Sequence, residues 1–520
     1  MIRPNRNYSE IKISALTGLT ERLPFRVWVF ALVLLTIVMR SPTLASRPLW
    51  YDEAFSVLFS REGPSAMMYG TLTPVEGAAA DVHPLLYYTL LWVWMKVFGQ
   101  SILAVRALSV VISVALLITL IALGCKLFNK PVALMSGLLF ATSPFQIHYG
   151  QEARMYGLLA LFLVLATLSL LQSLHLKSRL YIMLFGIFSA LAMYSHILAF
   201  FFLVPLAVIL LIQHFSRTNL IRILQGSLLG AILYLPWLVR LPAQITKVQQ
   251  SYWIERPGPG SLIQTIIAFN GDLPVREQLL PFMLMVSILI FVFVGLESWL
   301  MIRSRGKGTD AGFLTLSLTI LPVLLLFCVS QLRPLYIIRG LLPSAVFYLL
   351  LISWLLFGGR KLSTLTLGFS LFLAFTGGYV SHYSYSGFPY APYGELNAYL
   401  RTQVEAEAIV LHSNKLSMLP AYYDDPSLPH RYLQDPTGSR SDTLALPTQE
   451  VLGLIAETDP ISAVAEAESV YLILFQQELE DYERLGFAQH PALAALERTY
   501  LVESPMMWGD LLLYRMEHAE

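Results

Sequence analysis

Up to about residue 380 the chain alternates long apolar runs with short polar loops. Eleven runs approach the length needed to cross a bilayer, about 17–25 residues. They lie at 27–44, 104–125, 131–147, 155–174, 180–195, 197–213, 220–238, 280–301, 312–330, 337–357 and 362–380. Each predicts a membrane-crossing helix. A further apolar and aromatic stretch, 84–98, is too short to cross comfortably. Its Pro84 suits a first helical turn, and its Tyr and Trp residues suit the headgroup level, so it predicts a helix in the outer interface.

The loops carry their own patterns. Between the first two runs, 45–83 is long, and Asp52–Ser60 predicts a short helix with Phe55 and Phe59 on its apolar side. On such a helix neighbouring residues point apart, so Asp52 and Glu53 are expected to do separate jobs. The loop 239–279 contains Pro257-Gly258-Pro259-Gly260, which predicts an irregular lid or flap. After Tyr379 the pattern becomes that of a water-soluble domain. Strands at Ala408–His412, Val470–Phe475 and Leu511–Tyr514 alternate with helices near 394–406, 447–457 and 477–485, a small α/β domain. The expected division is a cytoplasmic segment 1–26, a membrane body 27–380 with the outer loop 45–103, and an extracytoplasmic domain 381–520.

Composition sharpens this reading. Of 520 residues, 56% are hydrophobic and only 13% are charged, against about 25% in soluble domains. The net charge of +1 conceals an asymmetry. Residues 1–380 hold 28 Lys and Arg against 13 Asp and Glu, while residues 381–520 hold 7 against 21. With the N-terminus cytoplasmic, every inner loop is basic: Arg3 to Arg26, Lys126 and Lys130, Lys177 and Arg179, Arg217 and Arg222, Arg303 to Lys307, Arg360 and Lys361. That predicts a multi-pass protein of the plasma (inner) membrane with its tail outside. Nine of the 13 membrane-part acids then fall on the outer side: Asp52, Glu53, Glu62, Glu76, Asp81, Glu152, Glu255, Asp272 and Glu277. The two cysteines, Cys125 and Cys328, supply no disulfide framework or thiolate metal site. No basic stripe points to nucleic acid.

A carboxylate beside hydrocarbon is costly, which makes Asp52 and Glu53 functional candidates, with a helix cap as the plainer reading. Glu152 and Arg154 at the lip of a span can be a mutual ion pair or, through Arg154 or Tyr156, a hold on an anionic headgroup. His196 fits a hydrogen-bonded packing role as well as a site. Arg333 and Arg339 in the last outer loop suit phosphate, which arginine binds in bidentate fashion, and Arg339 can also snorkel to the surface.

Four motifs in this order resemble the GT-C class of integral-membrane glycosyltransferases: Leu49-Trp50-Tyr51-Asp52-Glu53-Ala54, His83-Pro84-Leu85-Leu86-Tyr87-Tyr88, Gln151-Glu152-Ala153-Arg154-Met155-Tyr156 and Ile338-Arg339-Gly340-Leu341-Leu342-Pro343. Within that class the chain is similar to bacterial relatives of dolichyl-phosphate-mannose–protein mannosyltransferase and of the aminoarabinose transferase that modifies lipid A. The resemblance covers roughly 27–380; Leu85 stands where the family usually has a second Pro. It implies a GT-C bundle of about eleven spans with outer interfacial helices. It also implies inverting transfer of a sugar from a polyprenyl-phosphate donor to a glycan, lipid or protein acceptor on the outer face. Asp52 would be the base, with Glu53 beside it, and Arg339 would contact the donor phosphate, with Arg154 and Arg333 as further candidates. His83, Tyr87, Glu152, Tyr156 and His196 would line the substrate pocket. Some relatives bind a divalent metal near the first-loop acids; here Glu53, Asp81 and His83 are the residues that could ligate one, and no other cofactor is implied.

The chemistery of such a transfer matches these residue types. An attacking hydroxyl needs a carboxylate to take its proton, and a phosphate leaving group needs fixed positive charge more than an acid. The competing readings are a transporter or flippase, and a non-catalytic scaffold displaying the tail. Transporters tend to show midplane charges and internal repeats, and neither pattern is evident in the chain.

Overall fold

The computed structural model describes residues 23–518 except 76–77, 251–253, 305, 307, 406, 436–440 and 466. The basic residues before Leu23, together with Glu76, Ser251-Tyr252-Trp253, Arg305 and Lys307, therefore lie outside the described residues.

Each of the eleven apolar runs forms helix. Among the described residues, seven helices are long and apolar enough to cross a membrane: Ile102–Leu127, Tyr156–Leu176, Arg217–Leu238, Glu277–Arg303, Thr309–Ser330, Ile338–Gly358 and Lys361–Ser384. The other four runs give shorter helices, at Phe25–Arg40, Lys130–Thr142, Arg179–Ser195 and Ile197–Gln213. The chain is a mostly helical, multi-pass membrane protein with a small sheet domain at its C-terminus. One expected run is divided. The stretch 131–147 ends as helix at Thr142 and restarts at Pro144. Ser143, preceding a proline, is extended (ψ 123°), and its hydroxyl caps the second helix at Gln146 N–H.

The chain forms two compact units. One comprises the residues up to Leu44, Arg106–Pro236 and Glu255–Tyr385. Within it Ile338–Gly358 is central, with 89% of its apolar window buried, whereas the windows of Arg217–Leu238 and Glu277–Arg303 are each 28% buried. The outward side chains of those two helices, such as Leu228, Met285 and Phe291, are large and apolar, a surface suited to lipid. Helices Arg179–Ser195 and Arg217–Leu238 approach closely. A Cβ on Gly186 would lie 2.8 Å from the Gly226 carbonyl, and one on Gly226 would lie 2.4 Å from the Phe185 ring, so small residues set this spacing.

The second unit comprises Ala45–Val105, Trp237–Ile254 and Ser386–Glu520, so the first outer loop folds with the tail. The tail sheet has strands β1 (Ala408–His412), β2 (His430–Tyr432), β3 (Ser469–Phe475), β4 (Tyr500–Val502), β5 (Met506–Trp508) and β6 (Leu511–His518). Their order is β2-β1-β3-β6-β4, with β5 also paired to β6. β1 pairs in parallel with β2 and β3, and the pairings of β6 are antiparallel. All five residues of β1 are buried, as expected for a strand covered on both faces. Helices Tyr393–Gln403, Leu446–Leu452 and Gln476–Arg484 stand near the expected positions, and Lys415–Asp424, Pro460–Ala463 and Pro491–Leu496 are additional.

In the first outer loop, Tyr51–Arg61 is helical as its pattern predicted, and Leu86–Phe98 forms the helix expected at 84–98. Phe55 stacks on Phe59 with centroids 5.2 Å apart, and both meet the edge of Tyr88. Tyr51–Arg61 packs on the tail helix Lys415–Asp424, and Pro64–Leu72 packs on Leu446–Leu452. The Thr448 hydroxyl donates to the Gly70 carbonyl at 2.8 Å, and the Tyr423 hydroxyl to the Gln100 carbonyl at 2.6 Å. The loop 239–279 is less irregular than its Pro and Gly content suggested. It contains helices Leu241–Gln250 and Pro259–Asn270, the second starting with Pro259 in its first turn.

Candidate active site

The candidate residues divide between the units. Asp52, Glu53, Asp81, His83 and Tyr87 belong to the second; Glu152, Arg154, Tyr156, His196, Arg333 and Arg339 belong to the first.

In the second unit, Asp52 and Glu53 occupy the first turn of Tyr51–Arg61, where carboxylates complement the helix dipole. Asp52 is half-buried and Glu53 is 1% exposed. The surroundings are polar and partly supplied by the tail. Lys415 places its ammonium 5.6 Å from the Tyr51 ring centroid and 3.2 Å from Asp442 Oδ1. Burial pushes the Tyr51 hydroxyl well up, and the negative charges of Asp52, Asp442, Asp81 and Asp435 add to the shift. Burial likewise raises Asp435 to about 6, against the pull of Lys415.

Asp81 accepts from His83 Nδ1 at 3.0 Å and from the Val82 and His83 backbone N–H groups. Burial alone would raise its carboxyl, but the His83 contacts and backbone donors outweigh it and hold it below the usual range. Asp81 and His83 are thus paired with each other. Among the described residues, Glu53 does not join them in a group of three ligand atoms close enough for a metal. Tyr87 is 1% exposed and lies edge-on to Tyr88.

In the first unit the motif Gln151–Tyr156 makes a tight turn, with Arg154 N–H donating to the Glu152 carbonyl at 2.8 Å before the helix begins at Tyr156. The Ser109 hydroxyl also donates to that carbonyl, at 2.6 Å. Arg339 lies in the 3-10 turn Ile338–Leu341, its guanidinium 5.4 Å from the Tyr156 ring centroid. Tyr156 in turn faces His196 at 5.8 Å and Tyr149 at 5.9 Å. Burial raises the Tyr149 hydroxyl well up, Glu152 adds to the shift and Arg339 opposes it. The structure therefore gathers Arg339, Tyr156, Tyr149, Glu152 and His196. His196 also caps the following turn, its Nδ1 accepting from Leu198 N–H. Arg333 sits in the exposed turn after Thr309–Ser330.

Other polar residues of the first unit form a network that the motifs did not reveal. Arg40 is fully buried at the end of Phe25–Arg40 and donates to the carbonyls of Thr36, Phe140, Ala141 and Gln146. Gln151 Nε2 donates to the Arg40 and Pro42 carbonyls at 2.9 and 2.6 Å. His148 and His382 each place Nδ1 2.9 Å from the Asp272 carboxylate. Burial would raise Asp272, yet the two histidines hold it down at about 2. Asp272 was legible as an outer-side acid; its partners lie more than a hundred positions away, so no local pattern could join them.

The model of the dolichyl-phosphate-mannose-protein mannosyltransferase family matches residues 82–239. Over nearly the whole chain the fold is similar to ArnT from Cupriavidus metallidurans. The apo form gives a TM-score of 0.63 at 11% identity, covering 96% of this chain and 98% of that one. The fold of this chain is that of the GT-C membrane enzymes. ArnT bound to undecaprenyl phosphate gives a TM-score of 0.59 at 12% identity, covering 94% of this chain and 98% of its own. The archaeal oligosaccharyltransferase AglB from Archaeoglobus fulgidus, in complex with an inhibitory peptide and a dolichol-phosphate, gives 0.53 at 12% identity, covering 96% and 75%. At such identities the likeness to these structures is one of fold. A comparison with curated proteins gives no match. The family-model match includes His83, Tyr87, Glu152, Arg154, Tyr156 and His196, and leaves Asp52 and Arg339 outside it.

Proposed function

We propose that this protein is a GT-C enzyme, an inverting glycosyltransferase that moves a sugar from a polyprenyl-phosphate carrier to an acceptor hydroxyl on the outer face of the plasma membrane. The observation that carries the reading is the setting of Arg339. A half-buried guanidinium, held over Tyr156 at the start of the most buried apolar helix, suits a phosphate at the end of a lipid chain. The undecaprenyl phosphate bound to ArnT and the dolichol-phosphate bound to AglB support a lipid-linked donor.

In this reading Asp52 takes the proton of the acceptor hydroxyl as its oxygen attacks the anomeric carbon. The bond from that carbon to the phosphate oxygen breaks from the opposite side, and polyprenyl phosphate leaves. Arg339, with Arg154 and Arg333 as further candidates, stabilises the charge that grows on the departing oxygens. Because a phosphate is already a good leaving group, no general acid is required. Glu53, buried beside Asp52, fixes the loop. His83, Tyr87, Glu152, Tyr156 and His196 shape the substrate pocket, and the tail contributes to acceptor recognition. The acceptor is a glycan, lipid or protein.

The test uses purified protein in lipid nanodiscs, a panel of synthetic polyprenyl-phosphate sugars and an extract of cell-envelope acceptors. Wild type releases polyprenyl phosphate from one donor; Asp52→Asn folds normally and releases none. Turnover by that variant at the wild-type rate removes Asp52 as the base.

A further inference from the structure

We infer that His148, Asp272 and His382 hold a divalent transition-metal ion, zinc by their ligand chemistry, in a site distinct from the first-loop acids. The argument begins with the orientation of one amide. Gln151 Nε2 donates to two backbone carbonyls, Arg40 at 2.9 Å and Pro42 at 2.6 Å. Its Oε1 therefore faces His382 Nε2, 3.0 Å away, and can only accept. His382 Nε2 must carry the hydrogen. In the neutral ring Nδ1 is then a bare lone pair, and it points at a carboxylate oxygen of Asp272 2.9 Å away. Two acceptors at that distance require a proton or a metal ion between them.

A metal meets this requirement with a complete supporting shell. A ligating histidine characteristically donates its other ring N–H to a carbonyl or carboxylate oxygen, as His382 does to Gln151. His148 brings a second imidazole nitrogen to the same carboxylate at 2.9 Å. One ligand atom from each of the three residues lies within 4.8 Å of the others, and all three side chains are buried. Two imidazoles and one carboxylate form a recognised set for zinc, with the fourth position left for water. Tetrahedral ligands at zinc bond lengths stand about 3.3 Å apart, so the two His–Asp contacts need to open by only a few tenths of an ångström.

The three residues come from a short helix, the loop after Pro259–Asn270 and the last turn of Lys361–Ser384. A metal would tie these elements together. His148 stacks on Tyr149 with centroids 4.8 Å apart, and Tyr149 meets Tyr156, over which Arg339 lies. The site is therefore placed to position the ring cluster around Arg339.

The test is elemental analysis and zinc titration of the full-length protein in detergent, neither of which depends on transfer activity. Wild type is expected to carry about one zinc per chain. X-ray absorption at the zinc edge is expected to report two imidazoles and oxygen. Asp272→Asn and His382→Gln are expected to lose the metal, and Gln151→Leu to bind it about 10- to 100-fold more weakly. Should a ligand variant fail to fold, wild type alone still decides. Wild type that is isolated without metal and binds no added zinc, iron, manganese or cobalt overturns the site, and a proton then bridges His382 and Asp272. A zinc spectrum lacking imidazole overturns it equally.

Discussion

Gly150 and Arg40 leave no room between them for a methyl group. A Cβ at position 150 would lie 2.4 Å from Arg40 Nε and 3.0 Å from its Cδ, while the guanidinium donates to four backbone carbonyls. The glycine is required here by close approach to a buried cation.

Gly150→Ala is therefore expected to displace Arg40 and destabilise the first unit by about 1–3 kcal/mol, the range for overpacking a filled interior. Gly157→Ala is the matched control. Its Cβ would meet only Ile112 at 3.5 Å, so little change is expected. Thermal unfolding of both variants in one detergent checks the pair; equal midpoints would refute the packing argument.

Arg339→Ala is expected to weaken donor binding by about 10- to 100-fold, the worth of one charge-assisted contact. Arg339→Lys should recover only part of it, because the ammonium lacks the planar fork. Isothermal titration with a non-transferable polyprenyl phosphate measures the difference. Unchanged affinity in both variants would move the phosphate contact to Arg154 or Arg333.

The tail should become less stable in mild acid. Burial lowers His430 to about 4 and lowers its hydrogen-bonded neighbour His412 as well. Between about pH 6.5 and 4 the unfolded chain takes up a proton at position 430 that the folded tail refuses, so stability falls as pH falls, by up to about 3 kcal/mol. Asp435, raised to about 6, has the opposite sign: its folded form holds a proton that the unfolded form releases, so it offsets part of the loss between pH 6 and 4. Hydrogen exchange of β1 and β3 across that range is expected to show His430→Gln with a shallower acid loss and Asp435→Asn with a steeper one. Parallel profiles in all three proteins would exclude these groups as the source.

With Cys125 and Cys328 replaced, a cysteine at exposed Glu62 should react with an impermeant maleimide on intact cells, and one at exposed His175 should not. The reverse labelling would invert the orientation read from the basic loops.

Much of this was legible in the chain. Helices follow from apolar runs, because a backbone in lipid must satisfy its own hydrogen bonds. The tail strands follow from short apolar segments between turns. The motifs around Asp52, Glu152 and Arg339 carried the family resemblance without any coordinates. These signals are local, and local order is set by neighbours in sequence.

Tertiary structure alone decided how distant segments meet. It divided the run 131–147 at Ser143, folded the first outer loop with the tail and brought Lys415 to Tyr51. It brought Asp272 and His382 to His148 and Gln151, three segments more than a hundred residues apart in sequence. A buried polar side chain can be satisfied by any donor or acceptor that packing delivers. Which partner arrives depends on how the helices close around one another, and no periodicity records that.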